Sequence, residues 1–273
     1  MNRREFIGTI GSGLTFSRFP PLRENLRAIG VQMFSIRDAF SRDADAALKS
    51  VADIGFREVE AWSLQVKALG PANLKMLLDR HHLTSPSRSC FGSELPDESS
   101  RLLAECEVFG NRWLVYTALP TDQRGKLDSY KRASEWFNSV GAKGRDRGIQ
   151  FGFHPEPFDY PTLEGVVPLE YLVNNTDPAL VKFQLDLGHA VRQGKDPVSY
   201  LTTYPDRFFS LHLRDVDKAN ELATLGQGTI DFKAVLRAAR STPIQHYFIE
   251  EGRTGPVYEY QAASFQYMST LDF

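Results

Sequence analysis

From Ala28 onward, short β-branched or aromatic runs alternate with stretches in which apolar residues recur three and four positions apart, the mark of strand and helix in turn. Eight runs read as strands: Ala28 to Phe34, Glu58 to Trp62, Thr84 to Cys90, Trp113 to Thr117, Ile149 to His154, Val181 to Asp186, Phe208 to His212 and Tyr247 to Glu250. Helical periodicity lies between them over Ala44 to Ala52, Asn73 to Arg80, Tyr130 to Arg147, Val198 to Thr203 and Phe232 to Arg240. Asp196 before Pro197 offers an N-cap oxygen and a preset φ, and Asp231 precedes Phe232 in the same capping role. No repeat, long linker or low-complexity block divides residues 26–273, so the pattern predicts an α/β chain folded as a single (β/α)8 TIM barrel. A doubly wound open sheet has the same alternation, but the glycine-rich phosphate loop that would favour it is missing.

Composition narrows the function. The 32 Lys and Arg against 34 Asp and Glu leave a net charge of −2, which argues against a nucleic-acid binder resting on bulk positive charge. A hydrophobic fraction of 42% permits a large core. Cys90 and Cys106, the two cysteines, make neither a zinc motif nor a disulfide framework, although one disulfide between them could form. Residues 1–25 read as a twin-arginine export signal and linker, with Arg3-Arg4 ahead of Phe6-Ile7 and a short Gly-rich apolar run containing Gly8, Gly11 and Gly13. That run is too short to span a bilayer, so the expectation is an exported or periplasmic protein with no integral membrane segment; the alternative is a cytoplasmic protein with a chance Arg pair.

Barrel active sites lie at the carboxyl ends of the strands, which gives polar residues there more weight than polar residues elsewhere. Glu156, Asp186, His212 and Glu250 close strands five to eight, about one βα unit apart. Three carboxylates and an imidazole converging there would repel one another without a cation among them, so the pattern predicts one divalent metal ion. The oxygen-rich set with one nitrogen suits Mn²⁺, Mg²⁺ or Co²⁺, with Zn²⁺ a further candidate. Glu60, Phe34 and Trp62 lie at the mouth ends of the first two strands, where they could line a sugar pocket; alternatively, the rings pack under loops and Glu60 binds a backbone amide. Arg214 could hold a substrate hydroxyl or phosphate, or pair with Asp215 or Asp217. His81 and His82 fall at a helix end, where an imidazole suits the dipole, and His246 starts the eighth strand at the wrong end for catalysis.

The segments Gly30-Val31-Gln32-Met33-Phe34-Ser35-Ile36-Arg37-Asp38, Gly55-Phe56-Arg57-Glu58-Val59-Glu60, Gln184-Leu185-Asp186-Leu187-Gly188-His189, Gly194-Lys195-Asp196-Pro197, Leu211-His212-Leu213-Arg214-Asp215, Gly226-Gln227-Gly228-Thr229-Ile230-Asp231-Phe232 and Phe248-Ile249-Glu250-Glu251 follow one another in an ordered series. In that order and spacing the chain resembles the xylose isomerase-like TIM-barrel family of sugar isomerases and epimerases. The resemblance implies that Glu156, Asp186, His212 and Glu250 bind the metal, that Glu156 and Glu250 double as the acid/base pair, and that His189 contacts substrate oxygens. Where many relatives carry His-Asn-His and a later Glu-Phe at the fifth strand, this chain reads His154-Pro155-Glu156-Pro157-Phe158-Asp159, which leaves His154 and Asp159 as alternatives to Glu156. Ser87-Arg88-Ser89 replaces a frequent histidine region at the third strand, and Ile249-Glu250-Glu251-Gly252 replaces a closing Val-Glu-Gln-Asp.

The expected reaction is isomerisation or epimerisation of a small sugar, in which a carboxylate removes the proton alpha to a carbonyl and an enediolate forms. The same site could instead serve a lyase that eliminates the β-oxygen of a 3-keto-glycoside, or a non-catalytic sugar-binding barrel. A barrel-type apurinic endonuclease calls for more metal ligands and a basic face.

Overall fold

The computed structural model describes residues 29–91 and 98–273; the expected export signal and linker at 1–25 lie outside them. Eight parallel strands close into a barrel: β1 (Ile29–Gln32), β2 (Glu58–Ala61), β3 (Thr84–Phe91), β4 (Trp113–Thr117), β5 (Gln150–His154), β6 (Val181–Asp186), β7 (Phe208–Leu213) and β10 (His246–Ile249). A two-stranded antiparallel pair, β8 (Asp215–Val216) and β9 (Leu222–Ala223), sits in the loop after β7. The expected single barrel is therefore the observed one, with strand ends displaced by at most two residues. The largest shift is at β1, where Met33–Ile36 winds into a 3-10 turn instead of extending to Phe34.

Sequence periodicity did not pick out the helices Arg37–Arg42, Ser63–Leu69, Ser99–Phe109, Pro168–Asn175, Leu187–Arg192 and Val257–Thr270. Three of them are short pieces of six or seven residues, too brief to show a 3.6-residue period. Both anticipated caps are made: Asp196 accepts from the Val198 amide at 3.0 Å, and Asp231 from the Ala234 amide at 3.0 Å.

Side chains alternate across each strand, and the two faces differ in character. Val31, Val59, Phe151, Phe153, Phe183, Leu185, Leu211 and Ile249 are buried in the hydrophobic core with the surrounding helices. The alternate positions Gln32, Glu60, Ser87, Gln184, Asp186, Ser210 and His212 are equally buried but polar. At the amino-terminal floor, the Phe209 ring stacks on Trp113 with centroids 3.8 Å apart, while His246 pairs with Glu58 at 2.9 Å. Gly30 is required there, because a Cβ would sit 2.6 Å from the Phe248 ring.

His81 and His82 are structural, as expected: His81 caps its helix and pairs with Asp45 at 3.0 Å, and His82 takes a left-handed φ of 55° after it. Cys90 and Cys106 are both buried, and the disulfide that could join them is not made. Arg88, two residues before Cys90, is fully buried and pairs with Glu105.

Asp215 organises the long loop after β7. Its Oδ2 accepts from the Gly226 and Gly228 amides at 3.0 and 2.9 Å, and its Oδ1 from Val216 and Ile230 at 2.9 and 3.2 Å. The Gly-Gln-Gly run is thus a backbone cradle for one carboxylate, and a Cβ on Gly228 would overlap it. Gly228→Ala is expected to cost about 1–3 kcal/mol, the range for forced overpacking, read as a lowered urea midpoint with an unchanged slope.

Candidate active site

A cavity of about 350 Å³ opens at the carboxyl ends of the strands. One wall is polar and comes from β5, β7 and the residues just after β5, β6, β7 and β10: His154, Glu156, His189, His212, Arg214 and Glu250. The opposite wall comes from β1 to β4 and carries Phe34, Trp62 and Phe91 with Gln32, Ser89 and Thr117. Trp62 meets Phe34 edge-on at 5.2 Å and Phe91 at 5.9 Å, forming one aromatic shelf.

On the polar wall, His154, Asp186 and His212 each offer a ligand atom within 4.8 Å of the others; His154, Glu156 and His189 form a second such group. His154 is common to both. Asp186 caps the helix that follows β6 by accepting the His189 amide at 2.7 Å, which turns its other oxygen toward His212 Nδ1 at 3.9 Å. Asp186 Oδ2 and His212 Nδ1 are buried without an aligned hydrogen bond. Glu250 lies 2.6 Å from His212 Nδ1 through Oε2 and pairs with Arg214 through Oε1. Arg214 Nε is also 2.9 Å from Asp186 Oδ2, so its guanidinium lies between two site carboxylates while Asp215 serves the loop.

The structure therefore brings Asp186 and His212 together as expected, adds His154, and puts Glu156 in the adjoining group. Asp159 is fully buried, accepting from Tyr130 Oη at 2.6 Å and the Glu156 amide at 2.8 Å, and it does not line the cavity. Phe34 and Trp62 do line it, whereas Glu60 does not. Glu60 belongs to the inward face of β2 below the mouth, where its Oε1 accepts from Ser87 Oγ at 2.9 Å and Gln184 Nε2 at 3.0 Å, and its Oε2 from His212 Nε2 at 2.6 Å. Gln184 in turn meets Ser210 Oγ at 2.9 Å and His154 Nδ1 at 3.1 Å. Ser87, Gln184 and Ser210 were not singled out from sequence; their signal was a polar residue at every second position of strands expected to be buried on both faces.

Burial pushes the Glu156 carboxyl up to about 7, with the neighbouring Glu250 and Asp186 charges adding to it. Burial acts on Glu250 in the same sense but is outweighed by Arg214 and His212, which hold it well below the usual carboxylate range. Burial pushes His154 down to about 3. For His212, burial is overcome by Glu60 and Glu250, and the group rises to about 10. Two carboxylates in one cavity are thus driven apart, one toward the protonated and one toward the ionised form, as an acid and a base require.

Residues 48–268 match the family described as Xylose isomerase-like TIM barrel. The chain belongs to that family. Among curated proteins it is 26% identical over 158 residues to the inosose dehydratase of Lacticaseibacillus casei, an alignment covering 51% of each chain. The chain thus spans about half the length of the curated relatives it matches. A sugar phosphate isomerase/epimerase of Parabacteroides distasonis superposes with a TM-score of 0.77 at 20% identity, covering 89% of this chain and 98% of that one. The IOLI protein with a bound zinc atom superposes with a TM-score of 0.67 at 15% identity, covering 89% and 96%. Both solved structures share the fold across nearly the whole described barrel.

Proposed function

We propose that the chain is a divalent-metal-dependent isomerase or epimerase that removes the proton alpha to the carbonyl of an uncharged sugar. The observation carrying this is the group His154, Asp186 and His212 at the ends of β5, β6 and β7, with ligand atoms within 4.8 Å and two of them, Asp186 Oδ2 and His212 Nδ1, buried without aligned partners. Two imidazoles and a carboxylate so placed fit a divalent cation, with Glu156 and His189 adjoining and Glu250 against His212. Zinc in the IOLI structure adds support for a metal in this barrel type without fixing which one. When bound, the ion would act as a Lewis acid on adjacent sugar oxygens, favouring the enediolate.

The chain's own groups divide the proton work. Glu250, held ionised, is the base that takes the proton on carbon; Glu156, held toward its protonated form, supplies one to oxygen or to the other face of the carbon. His189 and Arg214 are positioned to meet substrate hydroxyls. The aromatic shelf can cover the apolar face of a ring. Arg214 is the one Lys or Arg among the described lining residues, and it is already bound by two carboxylates, so the described lining residues offer no unengaged Lys or Arg for a phosphate.

A second reading, elimination of a β-oxygen from the same enediolate, is favoured by the inosose dehydratase relative. There Glu156 would protonate the departing oxygen. Elemental analysis followed by incubation in D₂O with ketoses and 3-keto-glycosides tests both. Deuterium entering at the carbon beside the carbonyl, lost after chelation and restored by metal, is the expected result. An epimer or isomer supports the first reading and a released hydroxyl or aglycone the second, while no exchange at any metal loading would overturn both.

A further inference from the structure

We infer that Glu60 is the positioning residue that fixes, through one carboxylate, which nitrogen of both His212 and His154 faces the cation site; this rests on the proposed metal-dependent reading. Glu60 belongs to β2, and its partner Gln184 belongs to β6, four strands away in either direction around the eight-stranded barrel. Their 3.0 Å contact therefore crosses the barrel interior, and both residues are fully buried.

The proton placement follows from what each group can do. An ionised carboxylate only accepts hydrogen bonds, so His212 Nε2, at 2.6 Å from Glu60 Oε2, must be the N–H nitrogen. Its Nδ1 then faces Asp186 and Glu250, and the proton it carries toward Glu250 in the metal-free protein is the one a bound cation would replace, while Nε2 keeps its own. On the other oxygen, Glu60 Oε1 must receive an N–H of Gln184 Nε2, and the second N–H of that amide reaches Ser210 Oγ at 2.9 Å. This fixes the amide with Oε1 toward His154 Nδ1 at 3.1 Å, which makes that nitrogen the donor and leaves Nε2 free as a ligand. One carboxylate thus selects opposite ligating nitrogens in the two histidines, Nδ1 of His212 and Nε2 of His154. Its two oxygens do different work: Oε2 acts directly on His212, and Oε1 acts on His154 through Gln184.

Glu60→Gln tests this because an amide has the carboxylate's shape but accepts on one side and donates on the other. With its oxygen toward Gln184, its N–H₂ faces His212 Nε2 and drives the proton off that nitrogen, leaving the imidazole protonated on Nδ1, where the cation would bind. Turned over, it opposes Gln184 Nε2 donor to donor and reverses the amide on which His154 depends. Either orientation misplaces one of the two protons. Zn²⁺ alone, titrated into the full chain, should bind about 10–100-fold more weakly to Glu60→Gln, the range for losing an outer-shell partner. Imidazole ¹⁵N shifts of the Zn²⁺-loaded protein should show His212 ligating through Nδ1 and His154 through Nε2 in the wild type, and one of these assignments lost in Glu60→Gln.

Gln184→Met, close in volume and unable to relay, should scramble the His154 tautomer while leaving His212 as it was, and it keeps the test open if Glu60→Gln fails to fold. Wild-type Zn²⁺ affinity together with wild-type nitrogen assignments in Glu60→Gln would overturn the inference, as would an unaltered His154 tautomer in Gln184→Met. The His154 tautomer can be read in the metal-free protein. A wild type that takes up no metal, yet loses its Nδ1–H preference at His154 in Gln184→Met, would sink the metal-dependent reading and leave the Gln184 half of the relay standing.

Discussion

His212→Ala is expected to lower divalent-metal affinity by more than about 100-fold, beyond the range seen for losing an outer-shell partner, and to destabilise the metal-free fold as well. Two effects combine. The variant removes one of the three atoms grouped within 4.8 Å, and the proposed site then keeps only His154 and Asp186 of that set. It also removes the imidazole that lies 2.6 Å from Glu60 on one side and 2.6 Å from Glu250 on the other. Taking away one member of a buried charged set leaves the others uncompensated, at a cost of about 3–5 kcal/mol. Arg214 still holds Glu250, so the loss falls chiefly on Glu60, whose remaining partners are the neutral Ser87 and Gln184. Elemental analysis after dialysis and a urea melt check the two parts separately. Metal content and midpoint both unchanged would remove His212 from the ligand set and from the network.

Glu250→Gln should leave metal uptake largely intact and lower the rate of proton exchange at the substrate carbon by about 10²–10⁴-fold, the usual worth of a general base. The amide keeps an oxygen for Arg214 and roughly the same volume, so the cavity walls should stay in place. It cannot accept the proton, and it withdraws one of the charges that raise Glu156. Exchange into D₂O followed by NMR separates this from a binding defect, because KM should move much less than kcat. Exchange at the wild-type rate would assign the base to another group, with Glu156 the next carboxylate in the cavity.

Most of the barrel could be read from the sequence because strand and helix periods differ and each βα unit shows both. Strands β4 and β6 match their expected limits residue for residue, since apolar or aromatic runs with abrupt ends bound them. The short helix Leu187–Arg192 was hidden further because its cap is made by a residue counted as a ligand: Asp186 both closes β6 and accepts the His189 amide. The site was legible as far as strand ends mark it, which found Asp186 and His212. At the fifth strand the last strand residue is His154 itself, and Glu156 lies beyond it, so the imidazole joins both potential ligand groups. Glu60 could not be placed from sequence, because whether a carboxylate points to the mouth or to the axis depends on strand stagger, which a linear pattern does not encode.

The alternation of faces along the strands has a consequence for how this protein can change over time. Over Gln184 to Asp186 and Ser210 to His212, the odd positions Leu185 and Leu211 bind the barrel to its helices, while the even positions Gln184, Asp186, Ser210 and His212 carry the polar network. Two instructions are therefore interleaved in one stretch of chain, like two messages written on alternate letters. Substitution can edit either one alone, so new specificity can arise at the even letters without disturbing the odd ones. An insertion or deletion of a single residue within these segments exchanges the messages and ruins both together, which confines viable length variation to the loops and to bulges such as the one at Phe209.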